Sequence, residues 1–285
     1  MPLVKPKPTR RVRKGVGSAA LTAPAEKPRR PQPPAAVKIR VLSYNILYGC
    51  RWTQVRDLLL ANPADIICLQ EVPQHGHRRP NAVRADQILH DLDRPHSLAM
   101  LWYRPPRRVG NMTLVAGSID KGQILSTSLS QPYGLVNRVV VGGVNLTVVN
   151  VHFTEMLGPP PIAFPFSEML RTREALDLTR RFRGRQEPVL VLGDFNSFWP
   201  APACWVMRTN WTECRRAVGG RHPGTRKTYG LPFVIDHIFV RGPVRVHDYR
   251  VIDGGGSDHR AVYAALEVAP PRAAIADPEN ETNQM

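Results

Sequence analysis

Six places in this chain put a carboxylate, an amide or an imidazole at or just past the end of a strand-like run. They are Asn45, Glu71, His152, Asp194 with Asn196, Asp236 with His237, and Asp258 with His259. Strand ends hold polar groups on a rigid scaffold, which is where sheet proteins gather binding and catalytic residues. Carboxylates and amides can bind a hard cation or align a water, and an imidazole adds proton transfer. Glu71 closes the apolar run of residues 65–71 (DIICLQE), and burying it costs several kcal/mol unless it is paired or bound to a cation. Gly193-Asp194-Phe195-Asn196 follows Val189-Leu190-Val191-Leu192, so Asp194 and Asn196, two apart, can face one side. The same tetrapeptide is also an ordinary turn with an Asx cap. Gly254, Gly255 and Gly256 precede Ser257-Asp258-His259 and permit a close backbone approach, although a flexible loop would read alike. There Asp258 could bind a cation or fix an imidazole tautomer, and His259 is a candidate general base or transition-state donor. His152, at the end of Val149-Asn150-Val151-His152, fits a structural histidine as well as a functional one.

These residues need elements to hold them. Residues 38–47 read as a strand, 52–60 as a helix stopped by Asn62-Pro63, and 65–71 as a buried strand. A helix over 82–92 precedes a run of closely spaced strands at 98–103, 112–116, 123–128, 136–141 and 146–153, the pattern of antiparallel sheets in a sandwich. A Pro-rich loop, 158–165, leads to a helix over 167–182 and a strand at 189–192. After a poorly patterned stretch rich in Trp and Arg, strands are expected at 234–240, 244–251 and 261–268. One α/β domain of layered sheets with helices outside is the expected architecture.

Composition narrows the classes. With 285 residues, 42% hydrophobic and 22% charged, a large core is possible and wholesale disorder is excluded. The longest apolar runs fall far short of the roughly 18 residues a transmembrane helix requires. The net charge is +16 and the pI about 10.4, which favours an anionic partner. Residues 1–36 contribute +8 and eight of the 28 prolines, reading as a disordered basic arm; residues 269–285 contribute −2 as an acidic tail. Residues 37–268 therefore carry +10. Cys50, Cys68, Cys204 and Cys214 show neither zinc spacing nor a disulfide framework, so a cytoplasmic protein is expected. Export is the alternative, set against by the Gly, Ser, Thr and Pro in the only signal-like region, 15–25. A monomer is the default expectation.

The ordered set SYNIL (43–47), LQEV (69–72), GNM (110–112), NVHF (150–153), GDFNS (193–197), IDHIFV (235–240) and GSDHRAV (256–262) resembles the endonuclease/exonuclease/phosphatase superfamily, which includes DNase I-like nucleases. The resemblance covers roughly residues 38–268. It implies a four-layer αββα sandwich, two mixed β-sheets packed face to face with helices outside, and hydrolysis of phosphate esters with Mg²⁺ or Mn²⁺. By motif, it implies Glu71 as main metal ligand, assisted by Asn45 and Asp258. Asp194 would align or deprotonate the attacking water and Asn196 hold the developing phosphorane oxygens. His259 would act at the phosphate, oriented by Asp236, and His152 would contact the phosphate or the leaving oxygen. Asn111 and His237 are candidates for substrate binding, although a surface or supporting role is the default for His237. NVHF differs from the Tyr-containing motif of abasic-site endonucleases, and residues 231–237 differ from the Pro-Trp-Cys-Asp-Arg motif of inositol polyphosphate 5-phosphatases.

Charge points the substrate toward nucleic acid. Arg104, Arg107, Arg108, Arg171, Arg173, Arg180, Arg181, Arg183 and Arg185 suit a phosphodiester backbone, and Trp52, Trp102, Trp199, Trp205 and Trp211 could stack bases or pack in the core. The expectation is a nuclease. The alternatives are a phosphoesterase of phospholipids or small phosphate esters, and a non-catalytic nucleic-acid-binding protein.

Overall fold

Near-continuous apolar runs in the central strands put apolar side chains on both of their faces, so each sheet can be buried on both sides. The computed structural model describes residues 35–73, 81–102, 108–129, 132–159, 162–228 and 230–270. The chain runs through β1 (Val37–Asn45), α1 (Trp52–Ala61), β2 (Ile66–Pro73), α2 (Ala85–Leu92), β3 (His96–Trp102), β4 (Arg108–Val115), β5 (Ser118–Ile119), β6 (Gln123–Leu125), β7 (Gly134–Val141) and β8 (Val144–His152). There follow α3 (Ala163–Arg181), β9 (Val189–Asp194), α4 (Pro202–Asn210), β10 (Thr212–Glu213), α5 (Cys214–Val218), β11 (Arg226–Thr228), β12 (Leu231–Phe233), β13 (Asp236–Arg241), β14 (Val244–Ile252) and β15 (Ala261–Val268).

One sheet has the order β14-β15-β1-β2-β4-β3, and the other β10-β13-β9-β8-β7-β5 with β6 beside β7. Each is mixed, because β1 is parallel to β2 and β8 to β9 while their other neighbours are antiparallel. β11 and β12 form a separate hairpin.

Three apolar clusters define the layers. Between the sheets, Ile39, Val41, Ile66 and Cys68 meet Leu146, Val148, Leu190, Leu192, Ile238 and Val240. The alternate residues of the same strands face outward. Leu42, Tyr44, Ile67 and Leu69 pack against Val55, Leu58 and Leu59 of α1 and Ile88 and Leu92 of α2. Val149, Val151, Val189 and Val191 pack against Ala175 and Leu178 of α3 and Val206 and Met207 of α4. This is the expected four-layer sandwich.

Differences from the expected elements have local causes. α3 starts at Ala163 rather than 167, since Pro165 falls in the first turn, where a missing N–H costs nothing. The unpatterned stretch before residue 234 holds α4, β10, α5 and the β11–β12 hairpin, elements too short to show a period. The expected arm and tail lie outside the described residues except for 35, 36, 269 and 270, as do Arg104, Arg107 and the side chains of Trp102 and Arg108. Among the described residues no helix is long and apolar enough to cross a membrane.

Candidate active site

The inward-facing column of four central strands is apolar in its middle and polar at one end. In β1 it reads Ile39, Val41, Ser43, Asn45; in β8 Leu146, Val148, Asn150, His152; in β9 Leu190, Leu192, Asp194; in β13 Val240, Ile238, Asp236. Period-two geometry keeps each polar residue on the face of the apolar residues before it. Register then gathers them, since Asp194 pairs with Asp236 across β9 and β13 and with His152 across β8 and β9. A buried polar layer separates this end from the apolar seam. Gln70 Nε2 donates to Asn150 Oδ1 at 2.8 Å, and Asn150 Nδ2 donates to the carbonyls of Leu69 and Met112 at 3.1 and 2.9 Å.

Two backbone distortions aim the functional groups. β2 carries a bulge opposite β4 between Leu69 and Val72, and within it Glu71 adopts φ +55°. A non-glycine residue in that region stores strain, which persists only where the surroundings impose it. Asn196, at φ +47°, is another non-glycine residue of the site with a positive φ. Gly193 is required for contact: a Cβ there would lie 1.9 Å from the Val151 carbonyl oxygen.

Asp194 is the hub. Its Oδ1 accepts the Asn196 amide at 2.8 Å, so the Asx turn forms and leaves Oδ2 for the site. Oδ2 accepts Asn45 Nδ2 at 3.1 Å and lies 3.6 Å from both His152 Nε2 and His259 Nε2. Asn45 Nδ2 also donates to Glu71 Oε1 at 3.1 Å, linking the two carboxylates. His259 Nδ1 donates to Asp236 Oδ2 at 2.9 Å. Burial alone would lower the His259 pKa, but the facing charges of Asp236 and then Asp194 raise it to about 9. The imidazole is therefore charged at neutral pH, a donor rather than a free base. Asp194 is held below the usual carboxylate range, its burial outweighed by His259 and His152, while burial pushes Asp236 and Glu71 up.

Donor atoms of Glu71, His152 and Glu155 lie within 4.8 Å of one another, as do those of Asp194, Asp236 and His259. The first set fits a hard cation better. Glu71 Oε2 is buried without a hydrogen-bond partner, which a cation would satisfy, whereas His259 already carries its proton between two carboxylates.

Three expected residues are placed elsewhere. Asn111, expected to touch substrate, is wholly buried in the seam, its Nδ2 donating to the Asn150 carbonyl at 2.9 Å. His237 follows Asp236 and so points to the opposite face of β13, onto the Phe195 and Phe239 rings. There Nδ1 donates to Glu213 Oε1 at 2.9 Å, and Nε2 lies 3.2 Å from the Ser197 carbonyl. Asp258 is half-exposed and accepts Arg226 Nη2 at 2.8 Å, apart from both carboxylate groups. Among the expected surface cations, Arg171 is buried, bound to Glu168 and to the Thr154 carbonyl, while Arg173, Arg180, Arg181, Arg183 and Arg185 keep contact with solvent. Trp52 and Trp211 are core residues; Trp199 and Trp205 are exposed.

Glu213 supports the site from below. Burial opposes its ionisation, but His237 and Arg208 lower its pKa to about 2. A folded value below the ordinary 4.5 means stability that is present above pH 4.5 and lost as the pH falls towards 2. The shift corresponds to about 3 kcal/mol. Glu213→Gln is expected to lose about that much in urea denaturation at pH 7 and to flatten the acid limb; an unchanged acid limb would refute the coupling.

Sequence reasoning did not single out Glu155, Arg226 or Glu213. Glu155 lies three residues past a strand-end histidine, a signal that could have found it. Arg226 and Glu213 lie in the unpatterned stretch and gave none.

The sequence profile described as the Endonuclease/Exonuclease/phosphatase family matches residues 42–259. No curated protein matches the chain in sequence. Similar solved structures include an endonuclease/exonuclease/phosphatase from Beutenbergia cavernae, 15% identical, covering 83% of this chain and 73% of that one, with a TM-score of 0.63. A D. rerio TDP2 humanized by 14 mutations is 16% identical over 80% of this chain and 98% of its own, TM-score 0.63. A variant of the 3′ phosphatase NExo from Neisseria, bound to product DNA hairpin, is 20% identical over 79% and 98%, TM-score 0.58.

Proposed function

This chain belongs to the endonuclease/exonuclease/phosphatase family, and we propose that it is a divalent-metal-dependent phosphodiesterase that hydrolyses DNA or RNA by in-line attack of an activated water. Members of the family are phosphodiesterases and phosphatases. The observation that carries the reading is the meeting of Asp194, Asp236 and His259 with Glu71 and Asn45 at one end of the inter-sheet seam.

In this reading Glu71 and Glu155 hold Mg²⁺ or Mn²⁺, with Asn45 fixing the Glu71 carboxylate. When bound, the cation supplies Lewis-acid polarisation of a phosphoryl oxygen. Asp194 Oδ2 aligns the water and takes its proton. Asn196 and the His259 imidazolium, oriented by Asp236, donate to the oxygens on which negative charge develops. His152, facing Asp194 from β8, serves the leaving oxygen. Asp258 anchors Arg226 at the rim.

The +10 charge of residues 37–268 and the exposed arginines of α3 and the loop after it, Arg173, Arg180, Arg181, Arg183 and Arg185, support nucleic acid as the substrate. The fold neighbour from Neisseria is bound to a DNA hairpin, which agrees with this reading. A second reading is a phosphoesterase of a phospholipid or small phosphate ester; exposed Leu157, Ile162, Phe166 and Leu231 favour its phospholipid form, and Ile162 is 85% exposed.

The test is nicking of supercoiled plasmid with Mg²⁺, Mn²⁺ or EDTA, beside hydrolysis of phospholipid vesicles. Metal-dependent nicking is expected; vesicle hydrolysis without nicking would select the second reading, and neither would return the chain to a binding protein. Deleting residues 1–36 is expected to weaken nucleic-acid binding at low salt and leave turnover of a small phosphodiester intact. Equal affinities across a salt titration would remove the arm from substrate binding.

A further inference from the structure

We propose that Arg226 is a substrate-binding residue of this site, gripping a non-bridging oxygen of the substrate phosphate and holding a phosphomonoester more strongly than a diester. The proposal rests on the phosphoesterase reading above and adds a residue and a charge preference to it.

The backbone places Arg226 firmly. Its neighbour Thr225 is fully buried, and Thr225 Oγ1 accepts the amides of Ile235 and Asp236 at 3.0 and 3.1 Å. The Thr225 amide donates to the Phe233 carbonyl at 2.7 Å, and its carbonyl accepts the Arg260 amide at 2.7 Å. Arg226 itself forms an antiparallel bridge with His259. Arg226 is thus tied directly to His259 and, through the side chain of its neighbour Thr225, to Asp236.

The side chain is only partly used. Nη2 donates to Asp258 Oδ2 at 2.8 Å, and among the described residues Nε and Nη1 have no protein partner. Both members of the pair are more than a third exposed, at 35% and 39%, so the pair adds little stability of its own. Asp258 is better understood as an anchor that holds the guanidinium fork at the rim. The fork also senses the centre of the site. Burial opposes its charge, but Asp258, Asp194 and Glu71 together raise its pKa, and Arg226 in turn opposes the charging of His259.

Electrostatics supplies the need for such a residue. Glu71, Glu155, Asp194 and Asp236 converge here, and they repel an incoming phosphate unless cations face it. The His259 imidazolium is one. A guanidinium with two free N–H directions matches phosphate oxygens in a way an ammonium does not. A phosphomonoester dianion carries one more negative charge than a diester, so it gains more from this added cation.

The experiment titrates inorganic phosphate calorimetrically into the full-length protein with Mg²⁺ present. It also compares KM for p-nitrophenyl phosphate and bis(p-nitrophenyl) phosphate. Arg226→Gln is expected to weaken phosphate about 30-fold, as loss of a charged hydrogen-bond donor does, with Tm unchanged. Arg226→Lys, which keeps the charge and loses the fork, is expected to fall between. KM is expected to rise more for the monoester than for the diester, a split that a merely structural arginine would not produce. Equal phosphate affinity in Arg226→Gln, or no phosphate binding by the wild type, overturns the assignment, and equal KM changes overturn the charge preference. Arg226-dependent phosphate binding in a protein that leaves plasmid intact would support the assignment while overturning the nuclease reading.

Discussion

Asp194→Asn is expected to reduce metal-dependent phosphoester hydrolysis by about a thousandfold or more while the protein stays folded. The amide has the shape of the carboxylate, so Oδ1 still accepts the Asn196 amide and the Asx turn survives. What is lost is the negative charge at Oδ2, the atom shared by Asn45, His152 and His259. An amide cannot take the proton of a water, and general-base catalysis accounts for about 10² to 10⁴ in rate. A second loss follows through His259, whose raised pKa depends on Asp194 after Asp236. With Asp194 neutral, the imidazole titrates at a lower pH, and less of the donor form is present. In the wild type the folded value of about 9 lies above the ordinary 6.5, so the donor form is complete at neutral pH and is lost as the pH rises through about 9. Plasmid nicking against pH, beside an NMR titration of the histidines, checks both effects. A variant within about tenfold of the wild type, or a His259 titration unmoved by the substitution, would remove Asp194 from the role of water-aligning base.

The fold was legible because its strands are buried on both faces and bounded by turns. β15 was expected to the residue, and β1, β2, β8 and β9 to within two residues at either end. The site was legible for a related reason. A polar residue that continues an apolar inward column, as Asp194 continues Leu190 and Leu192, has nowhere to point except into the seam. The same logic explains what sequence reading missed. His237 reads from sequence as a substrate-binding candidate with a surface or supporting role as its default; strand alternation sends its side chain to the face opposite Asp236, onto Glu213 and the Ser197 carbonyl, which is the supporting place. Asn111 was read from its motif, but β4 lies beside β2 inside the sheet, so its amide ties the sheets together. Arg226 could not be read at all, because a three-residue strand has no period, and its link to His259 is a bridge across 33 residues of chain.

Glu71→Gln is expected to weaken divalent-cation binding by about a hundredfold and to remove the rise in Tm that Mn²⁺ gives the wild type. The carboxylate is costly where it stands. It is held in a bulge at positive φ, burial pushes its pKa up, and only one oxygen has a hydrogen-bond partner. Such an arrangement is unfavourable without a ligand for Oε2, because a buried acceptor left unmet costs about 1–3 kcal/mol, and more when charged. Gln would relieve the charge and the desolvation cost, so the metal-free variant should be as stable as the wild type or more so. That sign separates a ligand from a structural carboxylate. A residue that served the fold alone would destabilise the metal-free protein when neutralised, whereas a ligand position trades stability for affinity. Thermal melts of both proteins with EDTA and across a Mn²⁺ titration make the comparison. A Gln variant less stable in EDTA, or one with the wild-type response to Mn²⁺, would move the cation away from Glu71 and toward the Asp194, Asp236 and His259 group.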